Sequence, residues 1–251
     1  AASIATDVMA QFGIEAKDLA KAVNGITATT VASKFDINDY KLALAQAGGV
    51  AATVGVEFDD FNATIAAISP YFASGSDAGT SFKTMLQRLI PQSADAAGWM
   101  RELGLMGLDT AKAMDFLSKK GVQPVTGDFN GLVTQMMDYF GESQNVNTTT
   151  AEGIEKFQAW ATETGIISNK FFDANGNMKS MAEISGLLNT ATKDLTEEQK
   201  NEAFATIFGT DAMRAAAAIA GFTEVEFTEL KTTMGKTDAE ESAAKRMNTL
   251  S

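Results

Sequence analysis

The sequence contains neither cysteine nor histidine, and only 3 of its 251 residues are proline. Without cysteine, disulfides and thiolate zinc sites are excluded, and without either residue no Ser-His or Cys-His nucleophile can be assembled. The scarcity of proline, together with abundant alanine, favours helix. These absences leave carboxylates as the main candidates for catalysis and point to a helical chain.

Positive charge is also scarce, because 20 Lys and Arg residues stand against 32 Asp and Glu residues, for a net charge of −12. Proteins gain affinity for nucleic acid largely by neutralising phosphates with Lys and Arg. We therefore expect no specific nucleic-acid binding. The acidity suits a protein that lies near DNA without holding it.

The length of the chain and its hydrophobic fraction of 45% are sufficient for a buried core. The sequence begins without an initiator Met, and both ends read as helix, so we expect a piece of a longer protein. The best apolar run, 40–56, contains Lys41 and Gln46 and is shorter than the roughly 20 residues of a spanning helix. A buried helix rich in Ala and Gly is the favoured interpretation of this run.

Most of the chain shows the spacing of amphipathic helices. One apolar stripe consists of Phe58, Phe61, Ile65, Ile68 and Phe72, and a second of Phe129, Leu132, Val133, Met136, Met137 and Phe140. Pro70 lies near the end of the first helix, and Gly141 is the predicted end of the second. The 12 methionines are interpreted mainly as core filling, with contact to a partner surface as the alternative.

Local motifs predict several helix boundaries. Capping boxes mark two starts, Thr196 with Gln199 and Thr223 with Glu226. Phe222 and Phe227 occupy the hydrophobic staple positions of the second start. The run 211–220, D-A-M-R-A-A-A-A-I-A, has small side chains that permit close helix contact.

Strand signals are few. The run 166–177 contains the dipeptide Asn-Gly at 175–176, which predicts a short β-hairpin near 166–178. The segments 99–117 and 160–188 share a loose pattern of an aromatic residue, a Gly turn and an amphipathic run. This pattern raises the hypothesis of an internal duplication.

The run 173–177, D-A-N-G-N, suggests a calcium loop at first sight. An EF-hand counted from Asp173 requires Gly at position six and Glu at position twelve. Met178 and Ile184 stand there instead, and Gly176 comes too early. A turn is the better interpretation.

The stretch 75–84, G-S-D-A-G-T-S-F-K-T, superficially resembles a phosphate-binding loop. That loop has four residues between its glycines and a Lys directly after the second one. Here Gly75 and Gly79 are one residue too close, and Lys83 lies one helical turn further on. The prediction is a helix start capped by Ser76 or Asp77, with Gly79 allowing close packing.

Carboxylate pairs are the remaining candidates for acid/base chemistry. The pairs Asp59–Asp60 and Glu197–Glu198 both fall in predicted first helical turns, where the helix dipole and solvation already account for them. Ser242-x-x-Lys245 matches one catalytic motif, but its companion motifs are absent. An enzyme is therefore the least favoured hypothesis; its test is a muramidase assay with Glu57 and Asp59 replaced.

The order of these features resembles the core region of phage tail tape measure proteins. The resemblance is carried by the runs 55–89, 172–179 and 195–216 and covers roughly 6–220, with a variable stretch between 91 and 150. The residues that match the motifs of that family are Gly75, Ser76, Gly79, Thr80, Arg88, Leu89, Gly176, Phe208 and Gly209.

The resemblance implies an all-α, multi-helix assembly of short amphipathic helices, divided into 1–91, a variable stretch 92–150, and 151–251. It implies a structural protein of the virion tail that occupies the tube lumen or tip, sets tail length and leaves at DNA ejection. Its partners would be tail tube proteins, tail tip or baseplate proteins and other copies of itself, as a trimer or another ring-compatible number, with host-envelope contact at ejection. It implies no catalytic residue, cofactor or metal.

An alternative hypothesis of a different class remains open. A secreted helical protein could insert 40–56 into a membrane, and leakage of liposomes would distinguish it from a tail protein.

Overall fold

A computed structural model describes residues 2–124, 129–173 and 175–249. Within these residues the chain forms fourteen α-helices and two short strands, which confirms the predicted all-α class. The helices are α1 (Ala2–Phe12), α2 (Leu19–Ala32), α3 (Ile37–Thr53), α4 (Phe58–Ile68), α5 (Gly75–Gln87), α6 (Ala94–Glu102), α7 (Thr110–Lys119), α8 (Phe129–Gln144), α9 (Ala151–Glu163), α10 (Met181–Thr192), α11 (Glu197–Phe208), α12 (Met213–Ala220), α13 (Glu224–Met234) and α14 (Ala239–Thr249). The strands are β1 (Met106–Leu108) and β2 (Ile167–Asn169).

The first predicted stripe forms the centre of the core. All five of its side chains are at most 4% exposed, because α4 is covered by α2, α3, α12 and α13. The α-helical part of this segment ends at Ile68, and a 3₁₀ turn, Ser69–Tyr71, follows with Pro70 near its start. Pro is compatible with that position because its missing N–H has no helical partner there.

Aromatic rings join four helices at this centre. The ring of Phe61 lies 5.3 Å from that of Phe12, 6.4 Å from that of Tyr40 and 6.2 Å from that of Phe82, measured between centroids. Such tilted and edge-to-face pairs add to the stabilisation that burial provides. The rings of α1, α3, α4 and α5 therefore form one continuous cluster.

The apolar run 40–56 falls largely in α3, whose buried face is mostly Ala, Gly and Leu. The favoured interpretation of a buried Ala/Gly helix is confirmed, since this face packs along α5. Among the helices in the described part of the chain, none combines the length and the apolar character needed to cross a membrane.

The second half of the chain closes over α4 and α5. The small side chains of α12 allow it to contact α4, α5, α10 and α11 at once, as the run 211–220 predicts. Both predicted capping boxes are present, and a third, Ser180 with Glu183, starts α10. The rings of Phe222 and Phe227 meet edge-on at 6.2 Å, which confirms the staple.

The segments 99–117 and 160–188 share one local structure. Trp99 and Trp160 are each followed five residues later by a glycine with positive φ, Gly104 at 65° and Gly165 at 67°. In both segments the residue after that glycine donates a backbone hydrogen bond to the residue after the Trp, at 2.7 and 3.1 Å. Each helix therefore ends in the same left-handed turn and leads into a strand; the duplication itself stays a hypothesis.

These two segments meet through their strands, which corrects the expected hairpin. β2 lies in the predicted region, but it pairs antiparallel with the distant β1, with Gly107 opposite Ser168. Within the region of the predicted hairpin, the described residues pair only through a single antiparallel bridge between Phe172 and Met178. The Asn169 side-chain oxygen accepts from the N–H of Phe171 at 3.0 Å, and this turn ends β2 before a longer local ladder can form.

The predicted end of α8 at Gly141 is wrong, since the helix continues to Gln144. Gly141 has no positive φ, whereas Asn145 takes φ 53° and ends the helix in the left-handed conformation that Asn tolerates. A Cβ at Gly141 would lie 3.0 Å from the carbonyl oxygen of Val146, so this glycine serves close packing of the returning chain.

Helices α7, α8 and α9 are held together by aromatic side chains. Trp160 lies 5.2 Å from both Phe116 and Phe140, and Phe116 lies 5.5 Å from Tyr139. Buried side chains from Ile4 to Met234 nevertheless form one hydrophobic cluster across the described residues. The division into 1–91, 92–150 and 151–251 stays a prediction.

Candidate functional site

The stretch 75–84 forms the first three turns of α5, with Ser74 as its N-cap. The Ser74 side-chain oxygen accepts from the N–H of Asp77 at 3.2 Å, so the predicted caps, Ser76 and Asp77, are wrong. The physical reason lies on α3. The Asp39 carboxylate accepts from the N–H of Gly75 at 2.9 Å, which draws Gly75 into the helix and places the cap on Ser74, two or three residues before the predicted positions.

Gly75 and Gly79 are the points at which α5 approaches α3. A Cβ built on Gly79 would lie 2.7 Å from the carbonyl oxygen of Ala43, and one on Gly75 would overlap the carbonyl oxygen of Asp39. Both obstacles are backbone atoms, which cannot move aside as a flexible side chain can. The close-packing prediction for Gly79 is confirmed, whereas Ser76 and Thr80 are only half-buried.

The other predicted motif residues lie around the C-terminal end of α5. Because α5 has 13 residues, this end is ~20 Å from Gly75. The guanidinium of Arg88 lies against Gly209, which has φ 77° and follows the buried Phe208 at the end of α11. A cation at that position complements the negative end of the α11 dipole. Leu89 is fully buried, and its carbonyl oxygen accepts from the Asn169 side chain at 2.8 Å.

An open groove of about 1380 Å³ runs beside this end of α5, between the C-terminal half of α3 and the turn 172–178. It exceeds the ~300–1,000 Å³ of common ligand pockets. Half-buried apolar side chains contribute much of its wall, among them Val50, Ile90, Phe172 and Met178. Gly176, with φ 81°, lies at its edge.

The turn at this edge is organised by the carboxylate of Asp173. The carboxylate accepts from the N–H groups of Asn175 at 2.8 Å and Asn177 at 2.9 Å. The hydrogen bond from the Asn177 N–H is the main cause that lowers the pKa of Asp173 below its usual value. The carboxylate is therefore used within the turn, as the interpretation against a calcium loop requires.

A partly buried ion pair joins the two halves of the chain. Asp60, 3% exposed, binds the ammonium of Lys231 at 2.7 Å and accepts from the N–H of Met181 at 3.0 Å. The expectation that Asp60 is a solvated residue of a first turn is wrong, because that side of α4 faces α10 and α13. Asp59, by contrast, is exposed. Sequence reasoning missed the contact because its partners are 121 and 171 residues away.

A polar contact inside the core links α3 and α4. The Tyr40 hydroxyl, on a fully buried side chain, donates to the Asn62 side-chain oxygen at 2.8 Å. Burial raises the pKa of Tyr40 above its usual value. The hydroxyl is thus held protonated as a donor.

Within the described residues, the two candidate carboxylate pairs lie in separate helices, α4 and α11. Asp60 is paired with Lys231, while Glu197 and Glu198 are exposed in the first turn of α11 as predicted. Among the described residues no cluster of three acidic side chains forms that could hold a metal ion. The Ser242 hydroxyl donates to its own helix at Asp238, and the side chain of Lys245 lies outside the described residues.

Predicted motif residues thus make packing contacts between helices. Comparison with protein families shows which family the chain belongs to. The family described as phage-related minor tail proteins matches residues 1–209. The chain belongs to this family. No curated protein and no solved structure matches it.

Membership identifies a structural phage tail protein, a component that works with other parts of the tail. The matched range ends at Gly209, against which the Arg88 guanidinium rests. In this phage tail protein four of the predicted motif residues, Gly75, Gly79, Arg88 and Gly209, form two contacts of α5. The glycines of the first contact maintain helix approach, and Arg88 and Gly209 join α5 to α11.

Proposed function

We propose that this phage tail protein is part of a tape measure that sets tail length by templating assembly of the tail tube. The observation that carries the proposal is the family match over 1–209, together with the motif order that resembles tape measure cores. Tape measure function is the more specific form of the family's structural role in the tail.

Two physical features support this function. The fourteen helices found in the described residues supply an element with a fixed rise of about 1.5 Å per residue. The net charge of −12 suits an occupant of a DNA conduit, because the protein repels the genome that must pass through the same lumen. We propose that it leaves the lumen at DNA ejection and contacts the host envelope then.

The way in which the chain measures length depends on its folding state. Compact, a chain of 251 residues has a radius of gyration of ~18 Å and therefore a diameter of about 45 Å. Drawn out as continuous helix, the same 251 residues span ~380 Å. The extended state would therefore account for roughly eight times as much tail length as the compact state.

The test is electron microscopy of virions whose gene lacks, or carries twice, the codons for these residues in frame. We expect shorter tails after deletion and longer tails after duplication. A change of about 45 Å assigns the compact state, and one of ~380 Å the extended state. Unchanged tail length in virions with the duplication would refute the proposal, and Gly49→Ala, which adds no residue, is the control.

We further propose that several copies lie together in the lumen, as a trimer or another number compatible with a ring, between tail tube proteins and tip or baseplate proteins. Closed symmetry is the common arrangement of protein assemblies. Reconstruction of the tail without imposed symmetry would count the copies. A single copy would contradict this part of the proposal, but it would leave the proposal that the chain sets tail length unaffected.

A further inference from the structure

The dipeptide Asn-Gly occurs three times in the chain, at 24–25, 130–131 and 175–176. The first lies inside α2 and the second inside α8, whereas the third lies in the exposed turn between β2 and α10. The same two residues are thus held in two kinds of backbone. The difference has a chemical consequence, because Asn followed by Gly can undergo a covalent rearrangement that depends on backbone geometry.

The rearrangement begins at the peptide nitrogen that follows the Asn. This nitrogen attacks Cγ of the Asn side chain and closes a five-membered ring. Glycine favours the attack because it has no Cβ to hinder the nitrogen, and because its backbone adopts dihedral angles that other residues avoid. Ring closure therefore requires a carboxamide that is free to turn and a backbone that can bring the nitrogen and Cγ together.

The two helices oppose ring closure at the first two dipeptides. A helix holds its residues in one narrow region of φ and ψ, and its backbone hydrogen bonds would have to break before the nitrogen could approach Cγ. At Asn24 the carboxamide is also fixed, because its oxygen accepts from the N–H of Ala239 at 3.1 Å. A Cβ on Gly25 would lie 2.5 Å from the ring of Phe58, so α4 packs closely against this site and resists its opening.

The turn at 175–176 has neither restraint. The Asn175 side chain is exposed, and its carboxamide makes no hydrogen bond within the described residues. Gly176 is exposed as well and has φ 81°. Its N–H donates to the carbonyl oxygen of Asp173 at 3.1 Å, and such a bond in a surface turn opens more readily than the interior of a helix.

We propose that Asn175 is a site of spontaneous deamidation in the folded chain, ahead of Asn24 and Asn130. The Gly176 nitrogen loses its proton to the solvent and bonds to Cγ of Asn175, and the C–N bond of the carboxamide breaks to release ammonia. Water then adds to one of the two ring carbonyls and opens the ring, so the reaction consumes only water and transfers no electrons. Opening at Cγ leaves aspartate, and opening at the main-chain carbonyl leaves isoaspartate, whose main chain is one methylene longer.

Deamidation would change the edge of the groove that this turn forms. Either product carries a new carboxylate in the turn that the Asp173 carboxylate already organises, and like charges at this distance repel each other. Isoaspartate also changes the spacing between the N–H groups of residues 175 and 177, both of which donate to Asp173. We therefore expect the turn to loosen after conversion. The proposal does not depend on tape measure function.

The experiment follows the intact chain by peptide mass spectrometry during incubation in neutral buffer. All three Asn-Gly sites are measured in the same sample, and electron-transfer fragmentation distinguishes isoaspartate from aspartate. We expect conversion at Asn175 to be at least tenfold faster than at Asn24 or Asn130, with both products present. In guanidinium chloride, which unfolds the helices, the three rates should converge.

The matched variants are Asn175→Gln and Asn177→Gln, which replace two exposed amides of the same turn. Glutamine would have to close a larger ring, so Asn175→Gln should lose the acidic species that ion-exchange chromatography separates, whereas Asn177→Gln should keep it. Equal conversion of the three sites in the folded chain, or a rate order that persists in guanidinium chloride, would overturn the proposal. So would aspartate as the sole product, or an acidic species that forms unchanged in Asn175→Gln.

Discussion

Replacing Gly79 by Ala tests whether the close approach of α5 to α3 stabilises the fold. The new methyl group would stand 2.7 Å from the carbonyl oxygen and 2.9 Å from the Cα of Ala43. Ordinary contacts of a Cβ begin near 3.4 Å, so the two helices would have to move apart by several tenths of an ångström. Gly49 on α3 is the matched control, because a Cβ there meets nothing within 4 Å.

The two substitutions should change stability in opposite directions. Ala is favoured over Gly in a helix interior by ~0.8–1 kcal/mol, and Gly49→Ala should gain about that amount. Gly79→Ala has the same gain in helix propensity, but it also overpacks the contact with α3, which costs ~1–3 kcal/mol. The net result is a loss of stability of up to ~2 kcal/mol. Gly75→Ala should cost more than Gly79→Ala, because its Cβ overlaps the Asp39 carbonyl oxygen in the first turn, where helix propensity offsets less.

Thermal unfolding followed by far-UV circular dichroism measures the effect. In a chain of this size 1 kcal/mol shifts Tm by ~2–4 °C, so Gly79→Ala and Gly49→Ala should lie on opposite sides of the wild type. If Gly79→Ala raised Tm as much as Gly49→Ala, the contact between α5 and α3 would not be as close as described, and the argument for both α5 glycines would fail.

Other predictions concern polar contacts. Lys231→Met leaves the buried Asp60 without its cation and should lower the free energy of unfolding in a urea titration by up to ~3–5 kcal/mol, whereas Lys21→Met, at an exposed pair, should lower it by less than about 1 kcal/mol. Equal losses would contradict the assigned burial. Thr223→Ala removes the cap of α13 and should cost ~1 kcal/mol in the same assay. Hydrogen bonding, mainly from the Thr223 N–H, lowers the pKa of Glu226 below its usual 4.5, so this stabilisation is complete above pH 4.5 and is lost as pH falls through the lower pKa of the folded state. Thr223→Ala keeps this backbone N–H and should reduce the acid dependence only in part, whereas Glu226→Gln removes the titrating carboxylate and should abolish it; an unchanged pH profile in Glu226→Gln would refute the assignment.

Sequence reasoning predicted the features that neighbouring residues determine. The stripe of α4, the capping boxes at Thr196 and Thr223 and the small face of α12 all follow from local spacing. Ser180 with Glu183 carried the same capping signal and could have been found in that way. The turn at Asp173 also follows from residues within five positions of it.

Features set by distant residues could not be predicted from local spacing. The cap of α5 falls on Ser74 because Asp39 binds the N–H of Gly75, and the run Ala-Ser-Gly-Ser-Asp offers three plausible caps without that contact. β2 pairs with a strand about sixty residues earlier. Arg88 and Gly209 are both predicted motif residues, but neither their residue types nor their spacing predicts that they contact each other.

The ion pair between Asp60 and Lys231 has a consequence for the order in which the chain folds. During synthesis at ~5–20 residues per second, Lys231 is added about 10–30 s after Asp60. Until then the carboxylate has no cation to accompany it into the apolar interior, and its hydration opposes closure of the N-terminal helices. We therefore expect the helices around Asp60 to complete their packing only after α10 and α13 have been made.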